Sequence, residues 1–592
     1  MKNKIVRQLF GITIATVMFA QMPMFVLADT YDISKGDITI TTISDHEHQV
    51  TYFDSQGTQQ TTPDDQPDHD PIVTGSFTSE SQSSNRTVTI NAAGGDANVT
   101  FSDLNIENPA IQQDSTTNEY YGTPAVITTG TGNVEIELEG TNSLTSGQGQ
   151  AGLQKENEGE LIIKDDNPSQ NGTLDSLTAT GVSGGAGIGG GDGKAGTDII
   201  IKGGNITAIS DGFGGAGIGG GRHGDGSVTI YNGNITADAI DGYGAGIGGG
   251  ADGDGTVIIN GGIINATSGG GAAIGSGFGF NKVGNVTINE GTVNATSART
   301  AIGSAYDGTG NVTINDGVVT AISNGLSESA IGCGQRGGTI VRINGGEVTA
   351  IGGPCGAGIG GGQKTEDRIS VTVSGSAIVN AVGGQRRSDS MNRGAAIGTC
   401  GGSEEGDYRF DSSGLLPSGI IRFYMPGTTA NQIKNDPTLN LDPDHPTIIG
   451  TFNPNLAKNT DQTIITDTDN NDSNDTPAYQ GITTDMLIRQ INGSLLTSNG
   501  GAITIDFGRN ICLTPELMKM LFETGNVAKN CTFTYKGKRY NLYIPVTDTK
   551  SGKYLDAMEV LKKEDKGKGF AGFMRTRDIF KDLGVTLAEI KQ

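Results

Sequence analysis

An all-β solenoid, wound as a parallel β-helix and followed by a small α+β domain, is the fold predicted by three features of this 592-residue chain. Its 96 glycines are concentrated, with 64 of them between Gly181 and Gly402. A Gly-Ala-Gly-Ile signature or a variant recurs eight times, with its isoleucine at Ile188, Ile218, Ile247, Ile274, Ile302, Ile331, Ile359 and Ile397. Between signatures lie short alternating runs such as Val228-Thr229-Ile230 and Asn234-Ile235-Thr236-Ala237. Glycine at this density excludes a helical domain, because each interior glycine costs a helix about 1 kcal/mol. Collagen is excluded as well, since glycine keeps no third-residue period and prolines number only 17.

The elements follow in order. Lys2, Lys4 and Arg7 precede an apolar run from Leu9 to Val26, and Val26-Leu27-Ala28 offers a small-residue cleavage pattern. Residues 1–28 therefore read as a secretory signal peptide, and the protein is expected to be extracellular, secreted or associated with the cell surface. No later stretch is apolar enough to span a bilayer. Residues 29–430 are assigned to the β-helix, with a polar N-terminal cap at 29–71 and regular turns over 181–402. Less regular strands such as Val88-Thr89-Ile90 and Val134-Glu135-Ile136-Glu137-Leu138 precede those turns.

Successive signatures lie 27 to 30 residues apart, apart from a last step of 38. A unit of that length with three short strands cannot bury its own apolar face, but stacked coils about 4.8 Å apart can. Inward columns are predicted for the eight isoleucines, for Ile201, Ile230, Ile259, Ile288, Ile314 and Ile343, and for Ala208, Ala237, Ala266, Ala295, Ala321 and Ala350. Turn residues Asn260, Asn289, Asn315 and Asn344 should stack as an amide ladder. A β-propeller needs 40–50 residues per blade and does not fit.

Residues 431–480 are rich in Asp, Asn and Thr and read as an acidic linker. Residues 481–592 form the α+β domain: a strand at 502–507, a helix opened by Thr514 and Pro515, a hairpin about Lys536-Gly537-Lys538, and a helix at 554–562. Cys512 and Cys531 flank the first helix, where they could pair or remain buried thiols.

Charge narrows the partners. Residues 29–480 hold 20 basic and 53 acidic groups, while 481–592 hold 17 basic and 12 acidic. So acidic a body is unsuited to nucleic acid, whose affinity comes from neutralising phosphates. Beyond the signal peptide no membrane partner is expected.

Several local patterns bear on chemistry. The glycine-rich loops after the repeated isoleucine carry Asp192, Asp225, Asp252, Asp254 and Asp307. Oxygen ligands on flexible turns suit calcium, which is the cofactor expected here, although Asp is also an ordinary turn residue. Phe213, Tyr243, Phe278, Phe280 and Tyr306 decorate the same edge, where rings can stack on sugars or pack on neighbouring loops. The outward column Thr207, Thr236, Asn265, Asn294, Thr320, Thr349 and Asn380 would present a polar lattice to polysaccharide hydroxyls, or to ice. Asp45-His46-Glu47-His48, placed in a strand, would put both imidazoles on one face. No Ser-His-Asp or Cys-His arrangement is evident, and the chain is not expected to be an enzyme.

Three segments carry a resemblance: Tyr31-Asp32-Ile33-Ser34-Lys35-Gly36-Asp37-Ile38-Thr39-Ile40, Leu138-Glu139-Gly140-Thr141-Asn142-Ser143-Leu144-Thr145-Ser146-Gly147, and the Gly-Ala-Gly-Ile-Gly-Gly-Gly repeats. Over residues 31–425 the chain resembles secreted carbohydrate-binding β-helix proteins of Gram-positive bacteria, whose fold is similar to that of polysaccharide lyases. The resemblance implies a right-handed β-helix, bound calcium, and a plant-type or acidic polysaccharide as partner. The expected function is non-catalytic polysaccharide binding. An adhesin or spacer displaying the C-terminal domain is the second reading, and a polysaccharide lyase or hydrolase the third.

Overall fold

The computed structural model describes residues 29–450, apart from 64–65, 80–84, 109–111, 114–119, 167–173, 240–241, 366–367, 387–392, 401–407 and 417. In the C-terminal part it describes 503–509, 518–519, 521–522, 528–535, 538–565 and 580–589. Residues 1–28, where a signal peptide is expected, lie outside the described residues. The chain divides into two compact units, Met1–Lys458 and Asn459–Gln592.

The first unit is a parallel β-solenoid. Each regular coil contributes a two- or three-residue strand such as Ile247–Gly248, a second strand such as Gly255–Ile259, and a third such as Ile263–Ser268. The short strands stack into one sheet, and the second and third strands build the other. Alternation explains the elements: in Gly255–Ile259, Val257 and Ile259 point inward while Thr256 and Ile258 face out. The third strand buries Ile264, Ala266 and Ser268 in the same way.

Register places like residues on like. Ile188, Ile218, Ile247, Ile274, Ile302, Ile331, Ile359 and Ile397 pair in turn as one column, and all eight are fully buried. The column continues upstream through Leu153, Val126, Val88 and Ile38. The second isoleucine column and the alanine column are also in register and buried. Each buried isoleucine contributes about 1.5–3 kcal/mol relative to exposure. At the turns, Asn289 donates to Asn260 (2.7 Å), Asn315 to Asn289 (2.8 Å) and Asn344 to Asn315 (2.9 Å), so the amide ladder is continuous.

Both ends of the stack are covered. Ile38–Ser44, Glu47–Phe53 and Gln59–Thr61 form an antiparallel meander that terminates the short-strand sheet. At the other end Ile420–Tyr424 pairs in parallel with Ile378–Val382 and antiparallel with Ile448–Ile449. Helix Ala430–Asn435 lies between, opened by a capping box of Thr429 and Gln432. Residues 430–450 thus correct the expected linker, which was to begin at 431. They cap the solenoid through few apolar anchors, among them Ile433 packed with Val382 and Tyr424, too few to leave a periodic trace. The acidic stretch beyond 450 lies outside the described residues.

In the second unit Ile503–Arg509 pairs in parallel with Lys529–Tyr535, which pairs antiparallel with Lys538–Ile544. Thr586–Glu589 adds a fourth strand, and a helix runs over Gly552–Asp565. Cys531 is a buried free thiol, one of the two states expected for it, and Cys512 lies outside the described residues.

Candidate functional site

Loops before and after each short strand line one edge of the solenoid, and offset from the repeated isoleucine decides which side chains meet there. Four positions after it come Asp192, Arg222, Ala251, Phe278, Tyr306 and Gln335 on successive coils. Three or four positions before it come Tyr243, Arg299 and Glu328. Backbone bonds hold the loops in line: the His223 N–H donates to the Ala251 carbonyl (2.7 Å) and the Asp252 N–H to that of Phe278 (2.8 Å).

Four of the five predicted aromatic residues come together. The Phe278 ring lies 5.5 Å from Tyr243 and 5.0 Å from Tyr306, and Phe280 meets Tyr306 edge-on at 5.5 Å. The Arg299 guanidinium sits 4.6 Å above Phe278 and 5.6 Å above Tyr306, within cation–π range. Its Nη1 donates to Glu328 Oε1 at 3.0 Å. Glu328 is 2% exposed and also accepts from the Gln335 N–H at 2.9 Å. Burial pushes its carboxyl above the usual range, while Arg299 works against the shift. With Arg299 across Phe278 and Tyr306, the rings left open are Tyr243 (55% exposed) and Phe280 (61%). Phe213, 72% exposed, makes no ring contact among the described residues. Arg299 and Glu328 escaped the sequence reading, although both stand three residues before a repeated isoleucine.

The five aspartates do not converge. They occupy three different offsets from the isoleucine, so stacking sends them to different rows. Asp192 takes a bidentate pair from Arg222, Nε to Oδ1 at 2.9 Å and Nη2 to Oδ2 at 2.7 Å. Asp225 accepts the Asp254 N–H (2.8 Å), and Asp254 in turn accepts the Val283 N–H (2.9 Å). Asp252 faces His223 Nδ1 at 3.3 Å. The backbone carbonyl of Asp307 accepts the Asn281 N–H. Among the described residues no group of three His, Cys, Asp or Glu is placed to hold a metal ion. Asp192, Asp225, Asp252 and Asp254 instead make contacts within and between neighbouring loops.

Other expectations resolve locally. The Thr/Asn column is in register, but Thr349 and Asn380 are buried, and Asn380 accepts from Tyr424 Oη at 3.3 Å under the C-terminal cap. His46 lies in a turn with φ +59°, so it shares no strand face with His48. His48 is buried, its Nδ1 2.9 Å from the Asp68 carbonyl. Burial pushes the Cys333 and Cys400 thiols up to about 12, which keeps them protonated at neutral pH.

Seven segments match the family model described as Beta helix repeat: residues 175–192, 199–222, 228–251, 257–278, 286–306, 312–335 and 341–363. No curated protein and no solved structure matches the chain. The segments keep step with the observed coils, each running from a second or third strand to the loop after a repeated isoleucine. Matched repeats and continuous parallel register together make this a parallel β-helix protein.

Proposed function

We propose that this is an exported, non-catalytic polysaccharide-binding protein that contacts its ligand through the edge bearing Tyr243, Phe278, Phe280 and Tyr306. The observation that carries the reading is the ring cluster itself, with two large rings exposed beside a cation held in place by a buried carboxylate. Exposed rings offer flat apolar faces to the C–H faces of sugars, and the guanidinium offers donors to hydroxyls. Beta helix repeats suit a carbohydrate-active or surface protein. A glycan array probed with the full chain tests this reading: signals should fall by at least tenfold for the Tyr243→Ala/Phe280→Ala double variant, whose truncations are on the surface. Signals unchanged by that variant would move the site elsewhere. The division into two compact units favours a second reading, a spacer displaying the C-terminal domain. An array without any signal would leave that one standing.

A further inference from the structure

The rings of the candidate site belong to consecutive coils. Tyr243 precedes the short strand of Ile247, Phe278 and Phe280 follow that of Ile274, and Tyr306 follows that of Ile302. The aromatic strip therefore runs along the solenoid axis, advancing about 4.8 Å with each coil. An extended sugar chain advances by a comparable length per residue, so such a chain laid along the axis keeps step with the coils. One laid across them would meet a single open ring, Phe280, since Phe278 on the same coil is covered by Arg299.

Several cations on this strip already face carboxylates. Arg299, the cation over the rings, is paired with buried Glu328. One coil pair upstream Arg222 is paired with Asp192, and His223 stands against Asp252. Asp225 and Asp254 hold backbone N–H groups on the neighbouring loops, and Asp307 adds a further carboxylate beside Tyr306. Lys194, Lys282 and Arg336 are further cations on these loops, set in a body of 53 acidic and 20 basic groups. A chain of uronates would meet net repulsion here, with no cation cage among the described residues to bridge it. A neutral chain meets none. Arg299 retains donors beyond its Nη1 bond to Glu328, and these suit sugar hydroxyls.

Resting on the binding reading above, we infer that the ligand is an uncharged, unbranched, extended polysaccharide lying parallel to the solenoid axis, bound without a metal ion. Tyr243 and Phe280 are the open platforms along its path, and Arg299, held from below by buried Glu328, supplies polar contacts beside them. This departs from the calcium-bridged acidic glycan expected from sequence.

Titration calorimetry of the full chain tests it with β-1,4-linked gluco-, manno- and xylo-oligosaccharides of two to six residues. Oligogalacturonates of the same lengths form the parallel arm, each measured with calcium and with chelator. At least one neutral series should bind, gaining affinity with each residue up to about four and then levelling off, with no response to chelator. Phe280→Ala should weaken the hexamer about tenfold while barely changing the dimer. A dimer bound as tightly as the hexamer overturns the axial placement. Tighter binding of galacturonates, or binding abolished by chelator, overturns the neutral, metal-free ligand. If neither arm nor the array shows binding, the failure lies in the proposed function itself.

Discussion

At the glycine after each repeated isoleucine two constraints coincide. Gly248 has φ +131°, a region L side chains avoid, and a Cβ there would collide with the carbonyl oxygen of Gly275 on the next coil. Gly219 stands in the same relation to Gly248, and Gly275 to Gly303. The Gly-Ile-Gly spacing thus reflects backbone-to-backbone contact between coils, which no side chain can replace. Gly248→Ala should lower stability by about 1–3 kcal/mol in urea denaturation, as strained and crowded backbone sites do. Gly193→Ala is the comparison: its φ is +76° but a Cβ meets nothing within 4 Å, so about 1 kcal/mol is expected. Residue identity alone made this position legible, since only glycine recurs there. Arg299 and Glu328 were illegible for the opposite reason: each occurs once at its offset, and a pair on different coils leaves no mark within either repeat.

Among elements, ladders and caps differ in how sequence encodes them. The Asn260–Asn344 ladder recurs at one turn position and its stacking follows from register, so it is legible in the sequence. The caps are unique segments held by specific polar contacts. In the N-terminal cap Tyr31 Oη donates to Asp68 Oδ2 at 3.0 Å, and His48 Nδ1 meets the Asp68 carbonyl at 2.9 Å. Burial holds the His48 imidazole below its ordinary value near 6.5, against the pull of Asp68 and Asp70. The unfolded chain therefore takes up a proton as pH falls through 6.5 before the folded cap does, so the contribution of His48 is full above 6.5 and declines below it. Asp68, pushed above the usual carboxylate range by burial, works in the opposite sense over the acid range. Hydrogen-exchange protection of Ile38–Ser44 and Glu47–Phe53 should drop between pH 7 and 5.5, with little change in the central coils. Protection that is flat over this interval would remove His48 from the account.

For the whole molecule, stability is a sum over neighbours. Each coil of the solenoid buries its isoleucines against the coils on either side, which makes the stack quasi-one-dimensional. Repetition made this architecture legible, because periods near 29 residues with three alternating runs leave few other ways to bury an apolar face. The end of the solenoid is not legible in the same way, since residues 430–450 carry the composition of a linker and pack through isolated contacts. Linear coupling has a consequence that a globular core would not share. Ile247→Asp places an unpaired carboxylate in the fully buried column, a change costing several kcal/mol. Loss should spread to the Ile218 and Ile274 coils that stack on it and fade toward both caps, whereas Ile397→Asp should fray only the last coils. Limited proteolysis with mass mapping reads this directly: cuts in the Ile247 variant should cluster between about residues 210 and 285 while the N-terminal meander stays intact. Simultaneous cleavage along the whole of 29–450 would mean the coils unfold as one cooperative unit, and neighbour-limited coupling would then be the wrong description of this fold.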